Sequence, residues 1–73
     1  MGKGTLAAIG SALDEISWQW LSDNYPNLAE AVQDAVSQQV TPDKVRRYVM
    51  CRTDRYELAL RCEQAARYLV DVS

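Results

Sequence analysis

Apolar residues near the start of the chain keep a spacing that an α-helix brings onto one side. The run proceeds at alternating steps of three and four residues, through Leu6, Ile9, Leu13, Ile16 and Trp20. The pattern predicts a first helix, capped by Thr5 and ending near Ser22, whose apolar stripe faces the core. Trp18 falls on the opposite, polar side of this helix.

Prolines and capping residues mark the next two predicted helices. The segment Asp23–Pro26 breaks the first helix, and Asn27 with Glu30 has the capping-box spacing that would open a second. Thr41 followed by Pro42 is the clearest helix start in the chain, because threonine caps well and proline suits the first helical position. A third helix is therefore predicted from this point.

A fourth helix is predicted from Asp54, whose spacing to Glu57 is that of another capping pair, to about Val70. Tyr56, Leu60 and Arg67 lie off its apolar stripe and form either a second contact patch or, preferably, a place where the first helix packs. The residues predicted to face the core are Leu28, Ala31, Val32, Ala35 and Val36 in the second helix, Val45, Tyr48 and Val49 in the third, and Leu58, Cys62, Ala65 and Leu69 in the fourth, where Ala59 and Ala66 lie beside the stripe.

Four short helices with no competing strand pattern predict an all-α fold. The expected architecture is a compact bundle or an orthogonal array in one helical domain, residues 1–73. A chain of this size has little room for both a core and a deep cleft, so a flat or grooved binding surface is easier to build. The longest apolar stretch, Leu6–Leu13, is too short to span a membrane, and the protein is expected to be intracellular.

The residue inventory argues against catalysis. The chain contains no histidine, no glycine-rich phosphate loop and no nucleophile motif. Cys51 and Cys62 are too few to build an ordinary structural zinc site without histidine, and they are interpreted as free, small apolar residues on helices. We therefore expect no enzyme activity, no cofactor and no bound metal.

Charge is distributed unevenly along the chain. Residues 1–43 contain one basic and six acidic residues, which gives a net charge of −5. Residues 44–73 contain seven basic and four acidic residues, which gives +3. Such polarity affects partner choice and association rate more than fold. The acidic half is suited to repel or mimic nucleic acid.

The residues best suited to contact a partner are those that break the helical pattern. Trp18 on a polar face would be an interface anchor unless a neighbouring helix or the loop at Tyr25 covers it. On the third helix an exposed Met50 flanked by arginines suits an adaptable contact surface, although an ordinary solvated face would look the same. The predicted partner-binding residues are Trp18, Arg46, Arg47, Met50 and Tyr56.

A DNA-binding helix-turn-helix is the main competing interpretation. The third helix would be the recognition helix, with Lys44, Arg46 and Arg47 directed at DNA. Against it, the turn position that usually takes glycine is Gln39, and the chain is acidic overall, with a net charge of −2. The positions that fit the motif are Ala35, Val40, Thr41, Val45 and Tyr48.

Two segments resemble small phage proteins: Thr41–Val49 (TPDKVRRYV) and Glu57–Leu69 (ELALRCEQAARYL). Together with its length and its opening MGKG, they make the whole chain similar to the RNA-polymerase-binding transcription regulators of lytic phages that infect plant-pathogenic bacteria. The resemblance implies binding to host RNA polymerase in the host cytoplasm, near the RNA exit channel, on the N-terminal region of the largest subunit. It also implies inhibition of host promoter initiation and suppression of intrinsic termination, assisted by the elongation factor NusA.

Three functions stay open at this point. The phage-type regulator, acting by protein–protein contact, comes first, and the helix-turn-helix repressor comes second. A self-associating helical module is the third. A DNA binder should lose affinity steeply with salt, a polymerase binder should co-elute with the enzyme without promoter DNA, and a self-associating module should run as an oligomer.

Overall fold

The chain folds into four α-helices joined by short loops. The computed structural model describes the backbone of residues 3–72 and the side chains of residues 12–72. In chain order the helices are α1 (Lys3–Asn24), α2 (Pro26–Ser37), α3 (Pro42–Arg52) and α4 (Tyr56–Val72), and all regular structure within residues 3–72 is helical. The predicted all-α fold is confirmed. None of these helices is long and apolar enough to cross a membrane.

The central helix is α4, because it makes the most extensive contacts with α1 and α3 and also packs against α2. Its inner side is made of small residues, since Ala59, Cys62, Ala65 and Ala66 are completely buried. Such short side chains let neighbouring helices approach closely and exclude water. This confirms the inward stripe predicted for α4, of which Leu69 is partly buried. The other buried apolar residues are Leu21, Ala29, Val32, Val45, Val49 and Leu58.

The side that α1 turns to the core differs from the one its sequence predicts. Ser17 and Leu21 are completely buried, whereas Leu13 and Ile16 are 56% and 57% exposed. The prediction that the apolar stripe faces the core is therefore wrong for these two residues, while Trp20 is partly buried against the core. The side chains of the remaining stripe residues, Leu6 and Ile9, lie outside the described part of the chain.

The side of α1 that carries Ser17 and Leu21 is buried, and α4 offers polar partners to Ser17. The Ser17 hydroxyl donates to the side-chain carbonyl of Gln64 and accepts a hydrogen bond from Arg61 at 3.0 Å. Three residues later in α1, the centre of the Trp20 ring lies 5.4 Å from the guanidinium carbon of Arg61, which is three residues earlier in α4 than Gln64. The two helices therefore run antiparallel. These hydrogen bonds offset the cost of burying a hydroxyl, and serine is small enough for the helices to approach closely.

The start of α3 follows the prediction, and the start of α1 does not. The Thr41 hydroxyl accepts a hydrogen bond from the backbone N–H of Lys44 at 3.4 Å, and Pro42 takes the first helical position. This side-chain cap satisfies one of the unpaired N–H groups at the helix end. By contrast, α1 begins at Lys3, so Thr5 lies inside the helix and is not its cap.

The capping pairs predicted for the second and fourth helices are wrong. Pro26 is the first residue of α2, so the cap position falls on Tyr25, which makes no side-chain capping bond, and not on Asn27. Proline has no N–H at that position, which reduces the need for a cap. Likewise α4 begins at Tyr56, two residues after Asp54.

A left-handed residue ends α2. Gln39, with φ of 70°, is the one non-glycine residue of positive φ within residues 3–72. Its backbone N–H donates to the Val36 carbonyl at 2.9 Å, and the N–H of Val40 donates to the Ala35 carbonyl at 3.0 Å. This pair of bonds is the Schellman ending of a helix. Because a side chain is unfavourable in this conformation, Gln39 costs about 1 kcal/mol relative to a right-handed residue.

Candidate functional site

The predicted contact residues of the third helix form a patch with the start of α4. Met50 of α3 is 43% exposed and Tyr56 is 55% exposed, while Val45 and Val49 on the other side of α3 are buried. Tyr56 makes the smallest contribution to the raised pKa of Arg46, after Asp43 and Glu63. We call this surface the α3 patch, and it consists of Asp43, Arg46, Arg47, Met50 and Tyr56.

Asp43 holds both arginines of the α3 patch. One carboxylate oxygen lies 2.8 Å from Arg46 Nη2, and the other lies 3.1 Å from Arg47 Nε. The hydrogen bond to Asp43 raises the pKa of Arg46 above its ordinary value. The Arg47 side chain remains 72% exposed, so its pairing is weak and competes with water. One acidic residue thus reduces the positive charge that this face of α3 presents.

Arg46 also ties α3 to α4 through a buried carboxylate. Its Nε lies 3.4 Å from Glu63, which is buried and also lies 3.3 Å from Arg67 Nη2. A buried carboxylate is tolerated when cations and hydrogen bonds compensate it. The Arg46 side chain is accordingly only 26% exposed, which makes it a structural link as well as an edge of the α3 patch.

Met50 is the apolar centre of the α3 patch. Arg46 Nη1 lies 3.7 Å from its sulfur, which holds the thioether beside the guanidinium. Methionine is flexible and polarisable, and it adapts to the shape of an opposing surface. The patch therefore combines one apolar anchor with the exposed ring of Tyr56 and a rim of paired charges.

Tyr48 departs from its predicted position. It was expected to face the core, but it is 59% exposed, and the Arg52 guanidinium carbon lies 4.4 Å from the centre of its ring. Tyr48 lines an apolar groove of about 380 Å³ between α2 and α3, together with Val45 and Val49. Because α2 and α3 leave this groove open, there is no closed contact for the ring to fill.

Trp18 lies apart from the other predicted contact residues. It is partly buried and packs against the core, beside Pro26, Ala29 and Gln33 of α2. The helix α1 contacts α2 and α4, and it has no contact with α3 among the described residues. Trp18 therefore does not belong to the α3 patch. The sequence did not show whether a neighbouring helix covers the Trp18 side chain, and in the structure α2 covers part of it.

Tyr56 and Arg67 were expected to be covered by the first helix, and this prediction is wrong. Both are exposed, and only Leu60 of that group is half-buried. Arg67 instead extends along α4 to Glu63, four residues before it. Glu63 is not among the predicted site residues, although its spacing to Arg67 is that of a helical ion pair and could have identified the pair. Its link to Arg46 could not be read from spacing within one helix.

The described residues contain no group of three or more potential metal ligands. Both cysteines are free, Cys51 exposed and Cys62 buried, and burial raises the pKa of the Cys62 thiol to about 11. Burial likewise raises the pKa of Asp14, with Asp71 and Glu63 adding to the effect against the opposing charge of Arg67.

Comparison with known proteins gives no relative on which to base a function. The chain matches no protein-family profile, no curated protein and no solved structure.

Proposed function

We propose that this chain is a phage-type transcription regulator that binds host RNA polymerase through the α3 patch. In this proposal it inhibits host promoter initiation and suppresses intrinsic termination, without catalysing a reaction itself. The partner is suggested by the resemblance of Thr41–Val49 and Glu57–Leu69 to such regulators. The surface is suggested by the geometry of α3.

The observation that favours a protein partner over nucleic acid is the pairing of Asp43 with both arginines of the α3 patch. Nucleic-acid binding takes most of its affinity from unpaired cations that contact phosphates. Here the positive charges of Arg46 and Arg47 are already met within the chain, at 2.8 and 3.1 Å. An exposed methionine with a rim of paired charges is the arrangement of a protein–protein contact, in which an apolar anchor is surrounded by polar residues.

The direct test is co-elution of the purified chain with bacterial RNA polymerase core enzyme during size-exclusion chromatography, without DNA. We expect a shared peak for the natural chain and a weakened one for Met50→Ala. Val72→Ala is the matched control, because Val72 is an exposed apolar residue at the far end of α4, 60% exposed. Failure to bind polymerase from a suitable host, or equal loss in both variants, contradicts the proposal.

A second candidate function, DNA binding by a helix-turn-helix, is favoured by the turn after α2. Gln39 adopts the left-handed conformation at the position where that motif usually has glycine, and Thr41 caps the following helix. Val45 is buried as the motif requires, but Tyr48 is exposed where an inward residue is needed.

The two candidates differ in their dependence on salt. Binding of the chain to a random DNA duplex would weaken steeply as salt rises, with a slope of about −0.9 for each phosphate contact. Lys44→Glu should then abolish DNA binding while leaving polymerase co-elution largely intact. DNA affinity that is absent even at low salt removes the second candidate.

A further inference from the structure

The groove between α2 and α3 is lined by apolar side chains and is open to solvent. These two helices make the smallest contact of any packed helix pair in residues 3–72, which leaves the space between them unfilled. Val32, Val45 and Val49 form the floor of the groove, and half-buried Leu28 lies beside them. Apolar surface collected in a groove of about 380 Å³ is typical of a binding site.

One edge of the groove is a row of three large side chains on α3. Lys44, Tyr48 and Arg52 follow one another at intervals of four residues, so they lie on one side of the helix. Lys44 and Tyr48 line the groove, and the Arg52 guanidinium carbon lies 4.4 Å from the centre of the Tyr48 ring. At a rise of about 1.5 Å per residue, the two cations are about 12 Å apart along α3, with the exposed ring midway between them.

The two cations of this edge have no anionic partner within residues 12–72. Neither Lys44 nor Arg52 forms an ion pair or donates a side-chain hydrogen bond there, and both are exposed. Their charges are therefore available to a ligand, unlike those of the other described basic residues. Arg46, Arg47 and Arg67 contact carboxylates, and Arg55 and Arg61 donate to hydroxyl groups.

The opposite edge of the groove, on α2, carries the other sign of charge. Asp34 lies on this edge, and its carboxylate accepts a hydrogen bond from Gln38 at 3.2 Å. A ligand with acidic groups is therefore attracted to the α3 edge and repelled from the α2 edge, which fixes its orientation. Nucleic acid fits this groove less well, because its affinity comes from phosphate contacts and the apolar floor provides none.

We propose that this groove binds an amphipathic helix of another protein, with apolar residues on the floor and acidic residues against Lys44 and Arg52. Recognition of a helix in an apolar groove is a recurrent mode of peptide binding. Acidic residues seven or eight positions apart on such a helix span the same distance of about 12 Å, whereas a small molecule is too short to reach both cations. The groove shares no residue with the α3 patch, and this inference does not depend on the polymerase proposal.

The test uses two fluorescein-labelled helical peptides and the full chain, with binding followed by fluorescence anisotropy. Both peptides carry leucines at helical spacing, and the flanking residues are glutamate in one and lysine in the other. We expect the glutamate peptide to bind at least about tenfold more tightly. The chain has a net charge of −2, so non-specific attraction would favour the lysine peptide instead.

Variants of the chain locate the binding. Tyr48→Ala should weaken binding of the glutamate peptide at least about tenfold, because it removes an exposed aromatic anchor. Arg52→Gln should weaken it about two- to fivefold, and less so at high salt. Arg67→Gln is the matched control, since it makes the same change at an exposed arginine of α4 outside the groove, and it should leave binding unchanged.

Circular dichroism checks that each variant keeps its helices. A glutamate peptide that stays unbound at millimolar concentration overturns the proposal, as does a preference for the lysine peptide or equal loss in Arg52→Gln and Arg67→Gln. A random DNA duplex that binds in place of the peptide, and is weakened by Arg52→Gln, would assign the two cations to nucleic acid. A dimer in sedimentation equilibrium that Tyr48→Ala dissociates would assign the groove to a second copy, and either result contradicts the proposal.

Discussion

The orientation of α1 can be tested by truncating two leucines of the same helix. Leu21 is completely buried and Leu13 is 56% exposed, so Leu21→Ala and Leu13→Ala make the same chemical change in opposite environments. If the side with Ser17 and Leu21 faces the core, Leu21→Ala should be far more damaging. If the apolar stripe faced the core, the order would be reversed.

The expected magnitudes are well separated. Truncation of a fully buried leucine costs about 3–5 kcal/mol, from lost transfer energy and from the cavity that remains. A half-exposed leucine has less than half of its roughly 2 kcal/mol of burial energy to lose, so Leu13→Ala should cost under about 1 kcal/mol. At the usual 0.05–0.15 kcal/mol per residue, a chain of this length has about 4–11 kcal/mol in total, so Leu21→Ala removes a large part of it.

Urea unfolding followed by far-ultraviolet circular dichroism measures both changes. The experiment is done at low protein concentration and repeated at higher ones, because any self-association would make the measured cost depend on concentration. Equal destabilisation by the two substitutions at low concentration would refute the orientation of α1, as would a larger effect of Leu13→Ala. Variants that unfold with a changed slope m are compared only after a check for two-state behaviour.

Three other substitutions and one labelling experiment test separate parts of the fold. Glu63→Gln should lower the free energy of unfolding by about 2 kcal/mol, because it removes the charge that compensates partly buried Arg46. Arg67→Gln, at the exposed end of the same network, should lower it by less than about 1 kcal/mol. Urea titration compares the two variants. Gln39→Gly should raise the free energy of unfolding by about 0.5–1 kcal/mol, since glycine tolerates the left-handed turn, and a loss of stability would contradict the Schellman geometry. At pH 8 iodoacetamide should modify exposed Cys51 in the folded chain and reach Cys62 only after unfolding. Burial raises the pKa of the Cys62 thiol to about 11, which keeps the thiol protonated and unreactive. Mass spectrometry counts the added groups.

The helices themselves could be predicted from the sequence because their determinants are local. Thr41 and Pro42 specify a helix start through backbone bonding and a fixed φ, whatever lies around them. The stripe of α4 was also predictable, since its small and apolar residues agree on one side. Local signals failed at Asn27, which lies two positions after the cap position because the helix had already begun at Pro26.

The contact residues were only partly predictable, because their environment depends on other helices. The sequence identified Met50 as an apolar residue on a charged side of α3, and it is exposed there. It could not show that Arg46 contacts Glu63, since the two residues lie on different helices and have no fixed spacing. Nor could it show that α2 partly covers Trp18, because burial of a side chain is decided by which helix happens to pack beside it.

The failure at α1 has a more specific cause. A hydrophobic period shows that one side of a helix prefers to leave water, but it does not show what that side contacts. Here the hydrogen bonds of Ser17 with Gln64 and Arg61 satisfy a neighbouring side of the helix against α4, and Leu21 completes that packing. Leu13 and Ile16, in the middle of the apolar period, are therefore left outside the core, whereas Trp20 at its end packs against the core. The period predicts the helix correctly because it is a local property, but the side of the helix that the core uses is decided by the polar and apolar partners that α4 provides.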